Sequence, residues 1–272
     1  MNTRTKKLFL RTGKLLLVGY IIICTLLYFF QEKLIFQPEK LPPDYQYKFD
    51  IPFVEYNFST KGGELLHGLL FKSDSSRGLI FYLHGNAGSI KSWGKVSRNY
   101  TALQYDVFML DYPGYGKSTA SIKSEIQLFE AIQLAYDTMK LTYPEKSIVV
   151  LGYSIGTGLA AKLSSTNQPR MLILQAPYYS MRDLMKKNYP LVPPFLLKYP
   201  LETNHYLLNC TMPVALIHGE RDEVIYYESS VKLRTILKPG DTLITLPGFG
   251  HNGMSNNENY LRSLKYLLNS FR

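Results

Sequence analysis

The longest apolar stretch of the chain lies near its N-terminus, and shorter apolar runs recur through the rest of the sequence. Residues 15–30, with the sequence LLLVGYIIICTLLYFF, contain no charged side chain. Later, predominantly apolar runs of five or six residues occupy 79–83, 105–110, 147–152, 171–175, 214–218 and 242–246. Runs of this length are typical of strands covered on both faces of a sheet.

Stretches with a helical pattern separate these runs. They predict helices at about 89–103, 124–140, 155–165, 229–237 and 257–269. Strands that alternate with helices predict an α/β fold, with a mostly parallel central sheet and helices on both faces. Before this series, residues 54–59 and 64–72 flank a Lys-Gly-Gly turn. They predict a hairpin, which adds a short antiparallel edge.

Residues 176–209 interrupt the alternation. The segment is rich in Tyr, Phe and Leu and contains Pro177, Pro190, Pro193, Pro194 and Pro200. We interpret it as a short lid insertion over the ends of the strands. The alternative is a plain long crossover connection.

The N-terminal run predicts a transmembrane helix. At 1.5 Å per residue it would span about 24 Å, slightly less than the ~30 Å hydrocarbon core. Five cations and no acid precede it, which favours a cytoplasmic N-terminus. The body would then lie on the other face, periplasmic in a bacterium and luminal or extracellular in a eukaryote. No small-residue cleavage site follows, so an uncleaved signal anchor is preferred to a cleaved signal or a peripheral helix.

These patterns predict four segments. They are a basic cytoplasmic segment at 1–14, a transmembrane signal anchor at 15–31, a Pro-containing connector at 32–50 and one α/β domain at 51–272. The lid would occupy about 176–209 of that domain. A chain of 272 residues with 46% hydrophobic and 19% charged residues suits one well-buried α/β domain.

Charge and cysteine content exclude several classes of function. Five of the ten net positive charges lie in residues 1–31, and the other five are spread over the body, with no basic stripe for nucleic acid. Cys24 and Cys210 are too far apart in the chain to suggest a disulfide or a metal site. Gly116 to Thr119 resemble the end of a phosphate-binding loop. However, Asp111 would occupy the position of that motif's first glycine and repel phosphate.

One pentapeptide carries the chemistry of a nucleophile. Gly152-Tyr153-Ser154-Ile155-Gly156 matches G-x-S-x-G and lies between a predicted strand and a predicted helix. A serine on such a turn is exposed at the end of the strand, next to the free N–H groups of a helix N-terminus. The context therefore predicts a nucleophile elbow with Ser154 at its tip.

A serine nucleophile needs a base, and the chain has five histidines to choose from. His251 is favoured because it lies in a glycine-flanked loop after the last predicted strand. His67 and His218 lie within or at the end of strands, where packing is the expected role. His205 is expected to be a solvated loop residue.

The base in turn needs a carboxylate to orient it. Asp222 follows a predicted strand, with Glu220 and Glu223 as rivals in the same loop. The order Ser154, Asp222, His251 is the order of nucleophile, acid and base found in α/β-hydrolases.

Taken together, these motifs resemble those of the α/β-hydrolase superfamily, in particular its membrane-anchored α/β-hydrolase-domain serine hydrolases. The resemblance covers about residues 50–270. It rests on the motifs LHGNAG (83–88), DYPGYGKS (111–118), GYSIG (152–156), HGERD (218–222) and GHN (250–252).

The resemblance implies further roles for individual residues. The backbone N–H groups of Asn86 and Ile155 would form an oxyanion hole. His84 and Asp111 would shape their loops, and Asp222 would be the acid in preference to its two rivals.

The sequence thus predicts a membrane-anchored serine hydrolase that cleaves carboxylic ester or thioester bonds through an acyl-enzyme. The expected partners are a small-molecule or lipid-like acyl substrate and a membrane, without nucleic acid, cofactor or metal. Protein partners are left open. Two alternatives remain, a serine aminopeptidase-like peptidase and a non-catalytic binding protein with the same fold.

Overall fold

A computed structural model describes residues 2–119 and 121–270 of the chain. Its helices are α1 (Thr3–Ile35), α2 (Ile90–Trp93), α3 (Ser97–Thr101), α4 (Glu125–Lys140), α5 (Gly156–Ser165), α6 (Met181–Asn188), α7 (Thr203–Leu207), α8 (Glu228–Arg234) and α9 (Glu258–Ser270). Its strands are β1 (Gln37–Pro38), β2 (Phe53–Ser59), β3 (Leu65–Phe71), β4 (Leu79–Leu83), β5 (Ala87–Gly88), β6 (Asp106–Asp111), β7 (Ile148–Tyr153), β8 (Met171–Gln175), β9 (Val214–Gly219) and β10 (Thr242–Leu246).

The described residues form one eight-stranded sheet in the order β10-β9-β8-β7-β4-β6-β3-β2. The six strands from β10 to β6 are parallel, whereas β3 pairs antiparallel with both β6 and β2. The predicted parallel sheet with an antiparallel hairpin at its edge is therefore confirmed. The ends of the parallel strands meet at one edge, which brings the loops after β4, β7, β9 and β10 together.

The central strands are buried on both faces because their alternate side chains belong to two different cores. In β4, Leu79 and Phe81 face one core, and Ile80 and Tyr82 face the other. Helices α4 and α5 cover the first face, and α3 and α9 cover the second. Each fully buried leucine or isoleucine contributes about 1.5–3 kcal/mol relative to exposure, which holds the layers together.

Some helix predictions differ from the structure. The predicted helix at 89–103 is divided into α2, a 3₁₀ turn at Gly94–Val96, and α3. A Cβ at Gly94 would lie 2.4 Å from the ring of Phe49, so the bare backbone is needed there. Glycine also weakens a helix by about 1 kcal/mol relative to alanine, which favours the break.

The N-terminal helix is longer than the apolar run that predicts it. Helix α1 has 33 residues, and it includes the basic residues before the run and the start of the predicted connector. Backbone hydrogen bonds within a helix do not require apolar side chains, so the helix continues past both ends of the run. Among the described residues, it is the one helix with the length and composition needed to cross a bilayer.

Two features of the fold were not predicted from the sequence. Strands β1 and β5 form a separate parallel pair, in which Gln37 lies beside Ala87 and Pro38 beside Gly88. The segment 176–209 contains α6, α7 and a 3₁₀ turn at Pro194–Leu196, and is therefore more regular than its prolines suggested. We refer to residues 176–209 as the insertion.

Candidate active site

Ser154 lies on a sharp turn between β7 and α5. Its φ of 54° is in the left-handed region, which side chains rarely adopt. Close backbone contacts surround the turn, since a Cβ on Gly156 would lie 2.1 Å from the carbonyl oxygen of Leu83. A Cβ on Gly152 would lie 2.4 Å from the carbonyl oxygen of Gly156. Both glycines of the pentapeptide are thus required for clearance, as the motif predicts.

The structure brings Ser154, His251 and Asp222 into one chain of hydrogen bonds. The Nε2 atom of His251 lies 3.1 Å from Ser154 Oγ, and its Nδ1 atom lies 2.7 Å from Asp222 Oδ2. All three residues are buried. Because Nδ1–H donates to the carboxylate, Nε2 is available to accept the hydroxyl proton of the serine.

Asp222 accepts hydrogen bonds on both carboxylate oxygens. Its Oδ1 atom accepts from the backbone N–H groups of Val224 at 2.9 Å and Ile225 at 2.7 Å. Burial opposes ionisation, but hydrogen bonds from His218 and His251 hold the pKa of the Asp222 carboxyl well below its usual range. Asp222 is therefore ionised at neutral pH.

His218, whose place at the end of a strand suggested a packing role, also contacts this carboxylate. Its Nε2 atom lies 3.1 Å from Asp222 Oδ2 and 2.9 Å from the carbonyl oxygen of Ile225. A carbonyl can only accept, so Nε2 carries the proton, and Nδ1 accepts from the Ser230 hydroxyl at 2.7 Å. His218 is buried, as the expected packing role requires, and its hydrogen bond to the carboxylate is an additional contact that the sequence did not predict. The signal in the sequence was its spacing of four residues from Asp222.

The two rival acids contact the backbone of the histidine loop. Glu223 Oε2 accepts from the N–H of His251 at 3.2 Å, and Glu220 Oε2 accepts from the N–H of Gly248 at 3.1 Å. The hydroxyl of Tyr153 donates to the His251 carbonyl at 2.6 Å. These contacts fix the loop and leave the ring nitrogens to Asp222 and Ser154.

Of the two residues expected at the oxyanion hole, Ile155 directly follows Ser154, and Asn86 lies in the loop after β4, the strand that pairs with β7. Ile155 is the residue before the first turn of α5, and its carbonyl accepts from the Tyr178 hydroxyl at 3.1 Å. Asn86 follows β4, and its carbonyl accepts from the Tyr115 hydroxyl at 2.7 Å. The Asn86 side chain also accepts from the N–H of Gln37 at 3.3 Å. The loop of Asn86 is thus held from two sides.

The other histidines and Asp111 lie outside this chain of hydrogen bonds. His84 is buried behind the Asn86 loop, its Nδ1 lies 2.8 Å from the Gly85 carbonyl, and burial lowers the pKa of its ring. Asp111 accepts from the N–H of Ile90 at 2.8 Å, and His67 lies 2.9 Å from Glu55. His205 is exposed on α7.

The cysteines are both free thiols. Cys24 lies in α1, and Cys210 is buried behind α5, where burial raises the pKa of its thiol to about 12. A thiol with that pKa is protonated and unreactive at neutral pH.

Comparison with known proteins supports the same fold. The family model described as alpha/beta hydrolase fold matches residues 78–203. The protein bem46 of Schizosaccharomyces pombe is 32% identical over 169 residues, which cover 58% of this chain and 56% of that protein. A lysophosphatidylserine lipase, ABHD12 of Macaca fascicularis, is 27% identical over 188 residues, which cover 61% of this chain and 46% of the lipase. The chain therefore spans about half the length of these relatives.

A solved structure with low sequence identity shows the fold. The Pyrococcus furiosus esterase PF2001 superposes with a TM-score of 0.70 at 18% identity, covering 87% of this chain and 97% of the esterase. The chain has the α/β-hydrolase fold, and its sequence resembles the α/β-hydrolase superfamily.

Proposed function

We propose that the chain is a serine hydrolase with Ser154 as nucleophile, His251 as base and Asp222 as acid. The observation that carries the proposal is the continuous pair of hydrogen bonds, 3.1 Å from Ser154 Oγ to His251 and 2.7 Å from His251 to Asp222. Distances of this length allow a proton to pass from hydroxyl to imidazole in one step. The left-handed backbone of Ser154 and the low pKa of the Asp222 carboxyl support the same roles.

In the proposed reaction, Ser154 Oγ attacks an acyl carbonyl while His251 Nε2 takes the hydroxyl proton. Asp222 keeps the ring in the tautomer with Nδ1–H and stabilises the imidazolium that forms. The imidazolium then gives its proton to the leaving group, and the acyl group remains on the serine. Water, deprotonated by the same imidazole, attacks this ester and releases the acid.

The negative charge on the tetrahedral intermediate needs hydrogen-bond donors. We assign this role to the backbone N–H groups of Asn86 and Ile155, because the resemblance implies both positions and Ile155 lies between the nucleophile and a helix of ten residues. Removing one such donor from an acyl-transfer site typically costs about 10²–10³-fold in kcat. The hydrogen bonds from Tyr115 and Gln37 to Asn86 would keep its loop in position.

The proposed substrate is a carboxylic ester or thioester with an acyl chain. A relative named as a lysophosphatidylserine lipase and a structural neighbour named as an esterase support an acyl substrate. An apolar N-terminal helix in the same chain favours a substrate taken from lipid. This choice is separate from the triad and is tested separately below.

Helix α1 is proposed to anchor the chain as a single span with a cytoplasmic N-terminus. The side chains of its apolar run are mostly exposed on the surface of the protein. Every charged side chain before the run is a lysine or an arginine, which favours a cytoplasmic N-terminus. Alkaline carbonate should leave the full-length protein in the membrane pellet. Extraction into the supernatant would contradict the anchor. Protease protection of the body in sealed vesicles tests the orientation.

A fluorophosphonate probe tests the nucleophile directly. The wild type and the control variant Ser165→Ala, changed on the same helix as the elbow, should be labelled, whereas Ser154→Ala should not. Labelling of Ser154→Ala would show that Ser154 is not the nucleophile. Absence of labelling in all three would favour a binding protein on this fold.

The substrate class needs a separate comparison. We expect p-nitrophenyl esters to be hydrolysed faster than aminoacyl-nitroanilides by the wild type, with both activities lost in Ser154→Ala. Faster turnover of the nitroanilides would identify a peptidase and overturn the ester assignment.

A further inference from the structure

Part of the insertion packs directly along α1. The Tyr20 hydroxyl donates to the carbonyl of Leu191 at 2.8 Å, and Gln31 Nε2 donates to the carbonyl of Leu196 at 3.0 Å. The Gln31 side chain also accepts from the N–H of Lys198 at 2.8 Å. Segments far apart in sequence thus share a row of hydrogen bonds.

The register of these contacts shows which part of α1 the insertion follows. Tyr20 and Gln31 are eleven residues apart, which corresponds to about 16 Å along the helix axis. Tyr20 lies within the apolar run 15–30, and Gln31 lies just after it. Residues 191–196 therefore lie beside the part of the apolar run that extends from Tyr20 to its domain-side end.

The segment beside α1 is itself apolar and uncovered. Residues 189–197, with the sequence YPLVPPFLL, contain no charged side chain. The exposed fraction is 64% for Tyr189 and 82% for both Leu191 and Phe195. Exposed apolar side chains that continue the surface of an apolar helix are typical of a membrane-contacting surface.

Most residues of this segment either lack a backbone N–H group or have it hydrogen-bonded. Three of its residues, Pro190, Pro193 and Pro194, have no N–H group. The N–H groups of Val192, Leu196 and Leu197 donate to carbonyls within the segment. Each unsatisfied backbone group costs several kcal/mol in hydrocarbon, and irregular backbone is tolerated at membrane depth only where it packs against protein. This segment meets that condition on the side that faces α1, where the carbonyls of Leu191 and Leu196 accept from Tyr20 and Gln31.

Lysines lie at both ends of the apolar segment. Lys186 and Lys187 precede it, and Lys198 follows it. Lys187 lies over the ring of Tyr226 and Lys198 lies 3.1 Å from Glu32, so both are directed to the domain side of the segment. Cations at that level face the headgroups when the apolar part enters the bilayer.

We propose that residues 189–197 enter the bilayer beside α1 and form a second membrane-contacting element. The occupant of their exposed surface is lipid hydrocarbon. The inference rests on the proposed anchor, because α1 brings the segment to the membrane. It deepens the proposed function, since the insertion that follows β8 is then held in the lipid from which the substrate comes.

Tryptophan quenching in the full-length protein tests this inference. The protein is reconstituted in phosphatidylcholine vesicles, with or without lipids brominated along the acyl chain. Phe195→Trp is compared with Leu141→Trp, because Leu141 is 87% exposed at the end of α4, before β7 begins and thus at the opposite edge of the sheet. Wild-type emission from Trp93 is subtracted as background.

Brominated lipid should quench Phe195→Trp by roughly twofold or more, as expected for a side chain at acyl-chain depth, and should leave Leu141→Trp unchanged. Leu191→Trp provides a second site in case the first variant is poorly folded. Equal and small quenching at all three positions overturns the inference. Flotation with the vesicles shows which proposal fails. A protein that floats without quenching is anchored but does not insert residues 189–197. A protein that does not float contradicts both the anchor and the insertion.

Discussion

Replacing Gly156 by alanine is the sharpest test of how the elbow is built. A Cβ at this position would lie 2.1 Å from the carbonyl oxygen of Leu83 and 2.8 Å from that of His84. Both are backbone atoms of or next to β4, whose side chains are fully buried in the middle of the sheet. A side chain could rotate away, but these atoms cannot, so helix α5 would have to move outward.

The size of the effect follows from this geometry. Overpacking a rigid core typically costs about 1–3 kcal/mol and occasionally more. With backbone on the opposing side, we expect a loss of about 3 kcal/mol in the free energy of unfolding. At about 2–4 °C per kcal/mol for a domain of this size, the unfolding midpoint should fall by roughly 6–12 °C. Helix α5 also positions Ser154 and the N–H of Ile155. We therefore expect Gly156→Ala to lose hydrolytic activity under conditions in which the domain is still folded.

The measurement compares Gly156→Ala with Gly62→Ala in detergent, using intrinsic fluorescence during heating and turnover of a p-nitrophenyl ester. A Cβ at Gly62 would meet only the Thr60 hydroxyl oxygen, at 3.8 Å, so this control should remain within about 0.5 kcal/mol of the wild type. If Gly156→Ala melts with the wild type and keeps its turnover, the reasoning about the elbow is refuted.

Three further outcomes follow from the acid side of the site. Asp222→Asn should lower kcat by about 10⁴-fold, because the His251 ring is no longer held in the tautomer with Nδ1–H. Glu223→Gln should lower kcat by less than roughly tenfold. Similar losses in the two variants would show that Asp222 is not the acid of the triad. His218→Phe deletes a hydrogen bond to the Asp222 carboxylate, so kcat/KM should fall by roughly 10–150-fold. The control His205→Phe should leave kcat/KM unchanged. If His218→Phe also has the wild-type kcat/KM, His218 has a packing role alone. Because the folded-state pKa of Asp222 is depressed, its contribution to stability is present above its ordinary value of about 4 and is lost as the pH falls below it. The unfolding midpoint of the wild type should therefore decline more steeply below about pH 4 than that of Asp222→Asn, and parallel declines would argue against this linkage.

The elements with a strong local signal could be predicted from the sequence. Strands β4 and β8 agree with their predictions to the residue, because each is a short and predominantly apolar run, LIFYL at 79–83 and MLILQ at 171–175. The three proposed triad residues were found by motif and order, and they lie within hydrogen-bonding distance in the structure. Such features follow from side-chain chemistry within a few positions of each residue.

What the sequence did not predict depends on contacts between distant segments. Strands β1 and β5 have two residues each, too few for any periodic pattern. The hydrogen bond between Tyr20 and Leu191 joins residues 171 positions apart, and the sequence around either residue gives no sign of it. His218 was missed because a histidine after apolar strand residues resembles a packed one until its neighbours in space are known.

The pairing of β1 with β5 connects the proposed tether to the loop that carries the proposed oxyanion-hole residue Asn86. Gln37, two residues past the end of α1, lies beside Ala87 in the ladder and bonds to the side chain of Asn86. If α1 spans a membrane as proposed, lateral pressure or thickness changes in the lipid would reach the loop of Asn86 through one helix and two residues of strand. Swapping α1 for an unrelated span should therefore preserve location more readily than turnover, and a soluble version made for crystallisation should begin before Phe36 to retain this pair of strands.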